Sequence, residues 1–160
     1  MPISLMLAAA AIASSSPEQA AVLHSVNELL DGWRTADNAR GEAVLHPDFR
    51  LTTLQGESAE RKLYTVDRAR LLAASKELKP GDWDDRLSNV AVRIGGNGIA
   101  VMTADYLFYQ NGKPTHCGLV SVQLYRIEGA WKIASFADTH NNLDGRPSAQ
   151  VCPPSVRTSK

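Results

Sequence analysis

The sequence predicts an α+β domain in which helices come first and an antiparallel sheet follows. Three observations predict it. Apolar residues recur at helical spacing from Val22 to Trp33 behind a helix-start signal. From Trp83 onward the pattern switches to period two. The strand-like runs are then separated by turn dipeptides, of which Asn111–Gly112 is the strongest short hairpin signal. Helices followed by a meander pack as one layer against one sheet face, and 160 residues suffice for one such domain with its own core.

The first helix opens at Ser16, with Pro17 at the first helical position and Gln19 placed to complete a capping box. Val22, Val26, Leu29, Leu30 and Trp33 form its buried stripe, and Gly32 weakens its last turn. Thr35 or Asp37 caps a short second helix that Pro47 ends. Residues 49–54 read as a strand, "QGESAER" as a loop, and 65–78 as a third helix closed by Pro80 and Gly81. Four strands follow, in "RLSNVAVRI", "IAVMTADYLFY", "KPTHCGLVSVQLYRI" and "AWKIASFADTH". The chain thus divides into a leader-like segment 1–16, a domain 17–141 and an irregular tail 142–160.

Charge and composition exclude several functions. Seventeen basic residues balance seventeen acidic ones without clustering, so neither a nucleic-acid footprint nor a basic membrane-binding face is present. The apolar run 3–13, with its exit in "AIASSS" (11–16), has the shape of an export signal and is too short to span a bilayer. It lacks a Lys or Arg before the apolar run. Export would place the protein in the periplasm or outside the cell, where Cys117 and Cys152 can form a disulfide; in the cytoplasm they would be free thiols.

Hairpin turns fix register, and register fixes faces. Two-residue turns at Asn111–Gly112 and Glu128–Gly129 set Asp105 opposite Gly118, Leu107 opposite His116, Val122 opposite Ser135 and Gly118 opposite Thr139. Thr103, Asp105, His116, Ser135 and Thr139 then lie on the helix side. Tyr106, Phe108, Cys117, Asp138 and His140 lie on the outer side. A single β-bulge would exchange the two sets beyond it.

The segments "DGWRTADNARGEAVLHPDF", "YLFYQNGKPTHCG" and "WKIASFADTH", in this element order, resemble the nuclear transport factor 2-like superfamily, specifically its SnoaL-like, lumazine-binding branch. The resemblance spans about residues 18–141. It implies a cone-shaped, cystatin-like fold, with N-terminal helices packed on a curved antiparallel sheet. It also implies a pocket between helices and sheet, and homodimers through the outer sheet face. The fold hosts isomerases, cyclases, dehydratases, hydrolases and non-catalytic binders, so it does not choose among functions. The ketosteroid isomerases of this fold use a pocket Asp as base with a Tyr and a protonated Asp as donors. Alignment puts Thr53 at the base position and Leu29 near the Tyr position, so that chemistry is not carried over.

The candidates follow. On this register His116 is a general base oriented by Asp105, its diagonal neighbour; the plainer alternative is a hydrogen-bonded histidine at a cavity mouth. Cys117 beside His116 invites a nucleophile reading, which fails because consecutive strand residues point to opposite faces. Trp33, Thr53, Thr103, Ser135 and Thr139 are ligand-contact candidates. Asp138 and His140 read as an outer polar cluster, and Tyr106 and Phe108 as dimer contacts. The expectation is a domain binding a small apolar or aromatic molecule. As an enzyme it would perform acid–base chemistry of the isomerase, cyclase or dehydratase type, needing no metal and no cofactor. The alternative is a non-catalytic, dimerising binding or assembly domain.

Overall fold

In a computed structural model, residues 16–56 and 60–157 are described. The leader-like segment lies outside the described residues except for Ser16. Helix α1 (Pro17–Thr35) begins as its capping box dictates: Gln19 N donates to Ser16 Oγ at 3.1 Å, and Ser16 N donates to Gln19 Oε1 at 2.8 Å. Ala36, at φ 58°, closes it in the left-handed conformation. Helix α2 (Asn38–Val44) packs so closely on α1 that a Cβ on Gly32 would stand 2.9 Å from Asp37 O and Gly41 N. Gly32, a weak point for helix propensity, is therefore what admits α2.

Strand β1 (Leu45–Gln55) takes in the "HPDF" segment and starts earlier than expected. Residues 65–67, expected in the third helix, instead belong to strand β2 (Lys62–Asp67), and α3 is only Arg68–Ser75, capped by Asp67. Thr65 and Val66 are β-branched and pair with Thr52 and Leu51. That pairing outweighs their weak helical periodicity. The remaining strands are β3 (Trp83–Gly95), β4 (Ile99–Gln110), β5 (Lys113–Ile127) and β6 (Ala130–Asn142). Their turns at Asn111–Gly112 and Glu128–Gly129 have positive φ at both residues, as two-residue hairpins require.

The sheet order is β2-β1-β6-β5-β4-β3. It is mixed rather than wholly antiparallel, because β1 runs parallel to β6. The architecture is nonetheless the expected α+β one, with α1 laid across the concave face. Val22, Val26, Met102, Val122, Leu124 and Ile133 fill the narrow end of the cone, each fully buried. Ser25 fits this core by donating its hydroxyl to Trp131 O at 3.0 Å.

Two bulges overturn the predicted faces. Tyr109 pairs with Pro114 but Phe108 pairs with His116, so Thr115 is an extra residue in β5. Leu124 pairs with Ile133 but Gln123 pairs with Ser135, so Ala134 is an extra residue in β6. Beyond these points every partner moves by one. Tyr106, not Asp105, opposes Gly118, and Val120 opposes Asp138.

The tail also differs from expectation. It contains helix α4 (Ser148–Val151) and a 3-10 turn, Pro154–Val156. It folds back on the outer face, where Leu107, Tyr109, Cys117, Leu143, Cys152 and Val156 form a second small core. The structure joins Cys117 to Cys152 with their Cα atoms 5.7 Å apart.

Candidate functional site

Above the packed core, the wide end of the cone encloses a cavity of about 520 Å³, within the range of small-molecule sites. One wall is aromatic and aliphatic: Trp33 from α1, Leu71 from α3, Trp83 and Leu87 from β3, Phe108 from β4 and Phe136 from β6. Among these, on the same inward face of the sheet, stand Asp85, Tyr106, His116, Asp138 and His140. Strand alternation explains the second set. Once the bulges are counted, the even-numbered residues of β4 and β5 and those of β6 after Ala134 face inward.

The rings form a continuous chain. Phe136 meets Trp33 at 6.1 Å, Trp33 meets Trp83 at 5.9 Å and Trp83 meets Phe108 at 6.3 Å between centroids, all edge-to-face. Phe108 stacks on His116 at 4.6 Å, and His116 stacks on His140 at 3.6 Å with the planes 12° apart. His116 Nδ1 shares a 2.9 Å hydrogen bond with the Thr115 hydroxyl, and His140 Nε2 bonds Asn142 Oδ1 at 2.9 Å. Burial, reinforced by His140, pushes the His116 imidazole from 6.5 down to about 3.

The acidic half is held by Tyr106. Its hydroxyl lies 3.0 Å from Thr139 O and 3.3 Å from Asp138 Oδ2. One hydroxyl proton serves both, so the shorter contact to the carbonyl takes the larger share. Asp138 Oδ1 is buried and makes no hydrogen bond. The Thr53 hydroxyl approaches Asp138 from the paired strand without a completed hydrogen bond and helps to hold its charge. Burial raises the Asp138 carboxyl, while Thr53, His140 and Tyr106 draw it back down. Burial, then the charges of Asp138 and Asp84, push Asp85 up to about 8. Burial likewise raises the Tyr106 phenol, with the Asp138 charge adding to it.

Several expected site residues lie elsewhere. Asp105 is on the outer face, opposite Leu119, where it accepts hydrogen bonds from Ser155 Oγ at 2.5 Å and Asn89 Nδ2 at 3.3 Å. It cannot orient His116, which is inside. Thr103 and Ser135 are likewise on the outer face, opposite Ser121 and Gln123. Thr139 is not in the cavity wall either; its hydroxyl accepts from Leu119 N at 3.0 Å. Trp33, Thr53 and His116 do line the cavity. Asp138 and His140 are in the wall rather than in an outer cluster, and Tyr106 and Phe108 are in it rather than at a dimer surface. Asp85 was not among the candidates, and its strand carries the signal: in "WDDRL" it alternates with Trp83 and Leu87 on one face.

Among the described residues no three His, Cys, Asp or Glu side chains are grouped to hold a metal ion. No helix among them is long and apolar enough to cross a membrane.

No protein-family model matches the sequence, and no curated protein is significantly similar to it. Solved structures do match. A nuclear transport factor 2-like protein from Cytophaga hutchinsonii is 19% identical, with a TM-score of 0.61 over 78% of this chain and 99% of that one. A cystatin-like protein of unknown function from Nostoc punctiforme is 12% identical, with a TM-score of 0.62 over 79% and 93%. The association domain of C. elegans CaMKII is 15% identical, with a TM-score of 0.58 over 76% and 94%. At these identities the likeness is one of fold: the chain has the nuclear transport factor 2-like, cystatin-like fold.

Proposed function

We propose that this domain binds a small apolar or aromatic molecule at the wide end of its cone. There it performs acid–base chemistry of the isomerase, cyclase or dehydratase type. One observation carries the reading: two carboxyls on different strands, Asp85 and Asp138, line an aromatic cavity of about 520 Å³, with the Tyr106 hydroxyl 3.3 Å from Asp138 Oδ2. Pairs of titratable groups in different environments are how one site supplies both an acid and a base. With its pKa pushed to about 8, Asp85 is mostly protonated at neutral pH and is the group poised to give a proton. Asp138, raised by burial but drawn back toward its charged form by Thr53, His140 and Tyr106, is the better acceptor. Tyr106 orients Asp138 and offers a hydrogen bond. His116, held to about 3, is too weak a base for general-base catalysis and serves as a neutral stacking wall.

The test is a thermal-shift screen of small aromatic and pterin-like compounds on the wild type and on Trp83→Ala, followed by turnover assays on hits with Asp85→Asn and Asp138→Asn. Binding that depends on Trp83 is expected. Failure of every compound, or equal binding by the variant, sinks the reading.

The non-catalytic assembly reading is favoured by a different observation. Val101, Leu119 and Tyr125 stand 37 to 50% exposed on the outer sheet face. With the likeness to an association domain, this supports a homodimer through that face, which sedimentation of Leu119→Asp against wild type checks. We place the protein in the periplasm or outside the cell, on the leader-like run 3–13 and the Cys117–Cys152 pairing.

A further inference from the structure

We infer that the molecule bound in this cavity carries a protonated amine, seated between Asp85 and Asp138 and faced by aromatic rings. The inference rests on the cavity reading above and names the ligand's charge. Four observations lead to it.

Asp138 Oδ1 is a buried acceptor with no donor, and a native structure rarely leaves such a group unsatisfied without reason. Asp85, enclosed in the same cavity, makes no side-chain hydrogen bond with any described residue. The Thr53 hydroxyl approaches Asp138 without a completed hydrogen bond, and the basic residues nearby do not supply the missing donor. His140 spends Nε2 on Asn142, and His116 bonds Thr115. Arg70, the one Lys or Arg in the cavity wall, sits exposed on α3 and pairs with neither acid.

The rest of the wall suits a cation. Trp33, Trp83, Phe108 and Phe136 present linked ring systems, and aromatic faces attract ammonium groups that have left water. With Asp85 holding its proton at neutral pH, Asp138 is the carboxylate there, and an anion placed beside it would be repelled. An ammonium instead compensates the charge of the half-buried Asp138 carboxylate. Asp138 then anchors the amine, and Asp85 keeps its proton for exchange with the ligand.

Calorimetric titration of the whole chain at neutral pH with naphthylethylamine, naphthylethanol and naphthylacetate tests this. The amine is expected to bind about 10- to 100-fold more tightly than the alcohol, the worth of one charge-assisted hydrogen bond. Asp138→Asn is expected to abolish that advantage while still binding the alcohol, which also shows that the variant is folded. Asp85→Asn serves as a second variant and is expected to shrink the same ratio. An amine that binds no better than the alcohol overturns the inference but leaves the cavity reading standing. So does a preference for naphthylacetate, which would point to Arg70. Failure of all three probes overturns both.

Discussion

Gly118→Ala is expected to damage the fold and the acidic half of the cavity together. A Cβ at Gly118 would run into the Thr139 carbonyl oxygen, with the Thr139 hydroxyl at 2.5 Å and the carbonyl carbon at 2.9 Å. These are mostly backbone atoms, so no rotamer change relieves the clash. The strands β5 and β6 must separate, and two hydrogen bonds are strained with them: Tyr106 Oη to Thr139 O and Leu119 N to Thr139 Oγ1. One half-buried and one exposed bond, at about 0.5–1 kcal/mol each, with overpacking of about 1–3 kcal/mol, give a loss of about 2–5 kcal/mol. For a domain of this size that lowers Tm by about 10 °C. The assay is thermal and urea unfolding of Gly118→Ala beside Gly96→Ala, where a Cβ meets nothing within 4 Å. If the two variants agree within about 1 kcal/mol, the close approach of Thr139 to Gly118 is wrong, and so is the placement of Tyr106 that depends on it.

Three further outcomes are expected. Replacing Cys117 and Cys152 together by serine removes a cross-link between residues 35 apart, which chain-entropy reasoning values at about 4 kcal/mol; urea unfolding of the double variant should show a loss of that order. Asp85 has an ordinary value of 3.8 when unfolded and about 8 when folded, so the folded state holds the extra proton and stability falls as pH rises from about 4 to about 8. Asp85→Asn should flatten that limb in urea titrations across pH. His116 runs the other way: its folded value near 3 lies below 6.5, so its contribution is complete above pH 6.5 and is lost toward pH 3, and His116→Phe should remove that part of acid destabilisation.

What was legible in the sequence was whatever a local rule decides. The capping box at Ser16 and Gln19, the stripe from Val22 to Trp33 and the turns at Asn111–Gly112 and Glu128–Gly129 each rest on a few adjacent residues, and each is where the rules put it. Strand β2 was missed because six residues with both polar and apolar side chains carry little periodicity; their state is set by the partner β1, which lies elsewhere in the sequence. The parallel β1–β6 pairing was illegible for the same reason.

The site residues depended on parity, and parity fails silently at a bulge. A register counted from a turn is right only up to the first extra residue, after which inside and outside exchange. A count from the turns alone therefore pairs Asp105 with His116 and puts Tyr106, Asp138 and His140 outside. Yet one of the two bulges had a visible cause. Pro114 stands in β5, a strand with neighbours on both sides. A proline has no N–H to give to the ladder and is tolerated inside a sheet only at an edge, a first residue or a bulge. With the strand beginning at Lys113, "KPTH" therefore called for an irregularity before His116. The second bulge shows in the apolar spacing of β6, where buried Trp131 and Ile133 are two apart and the next buried residue, Phe136, is three away. A ladder that keeps every buried residue inward must absorb one residue between Ile133 and Phe136. The same one-residue step that turns Phe136 inward turns Asp138 and His140 inward with it. Phe136, Asp138 and His140 therefore share one origin in the register of β6, and any substitution that erased the Ala134 bulge would turn all three out of the cavity at once.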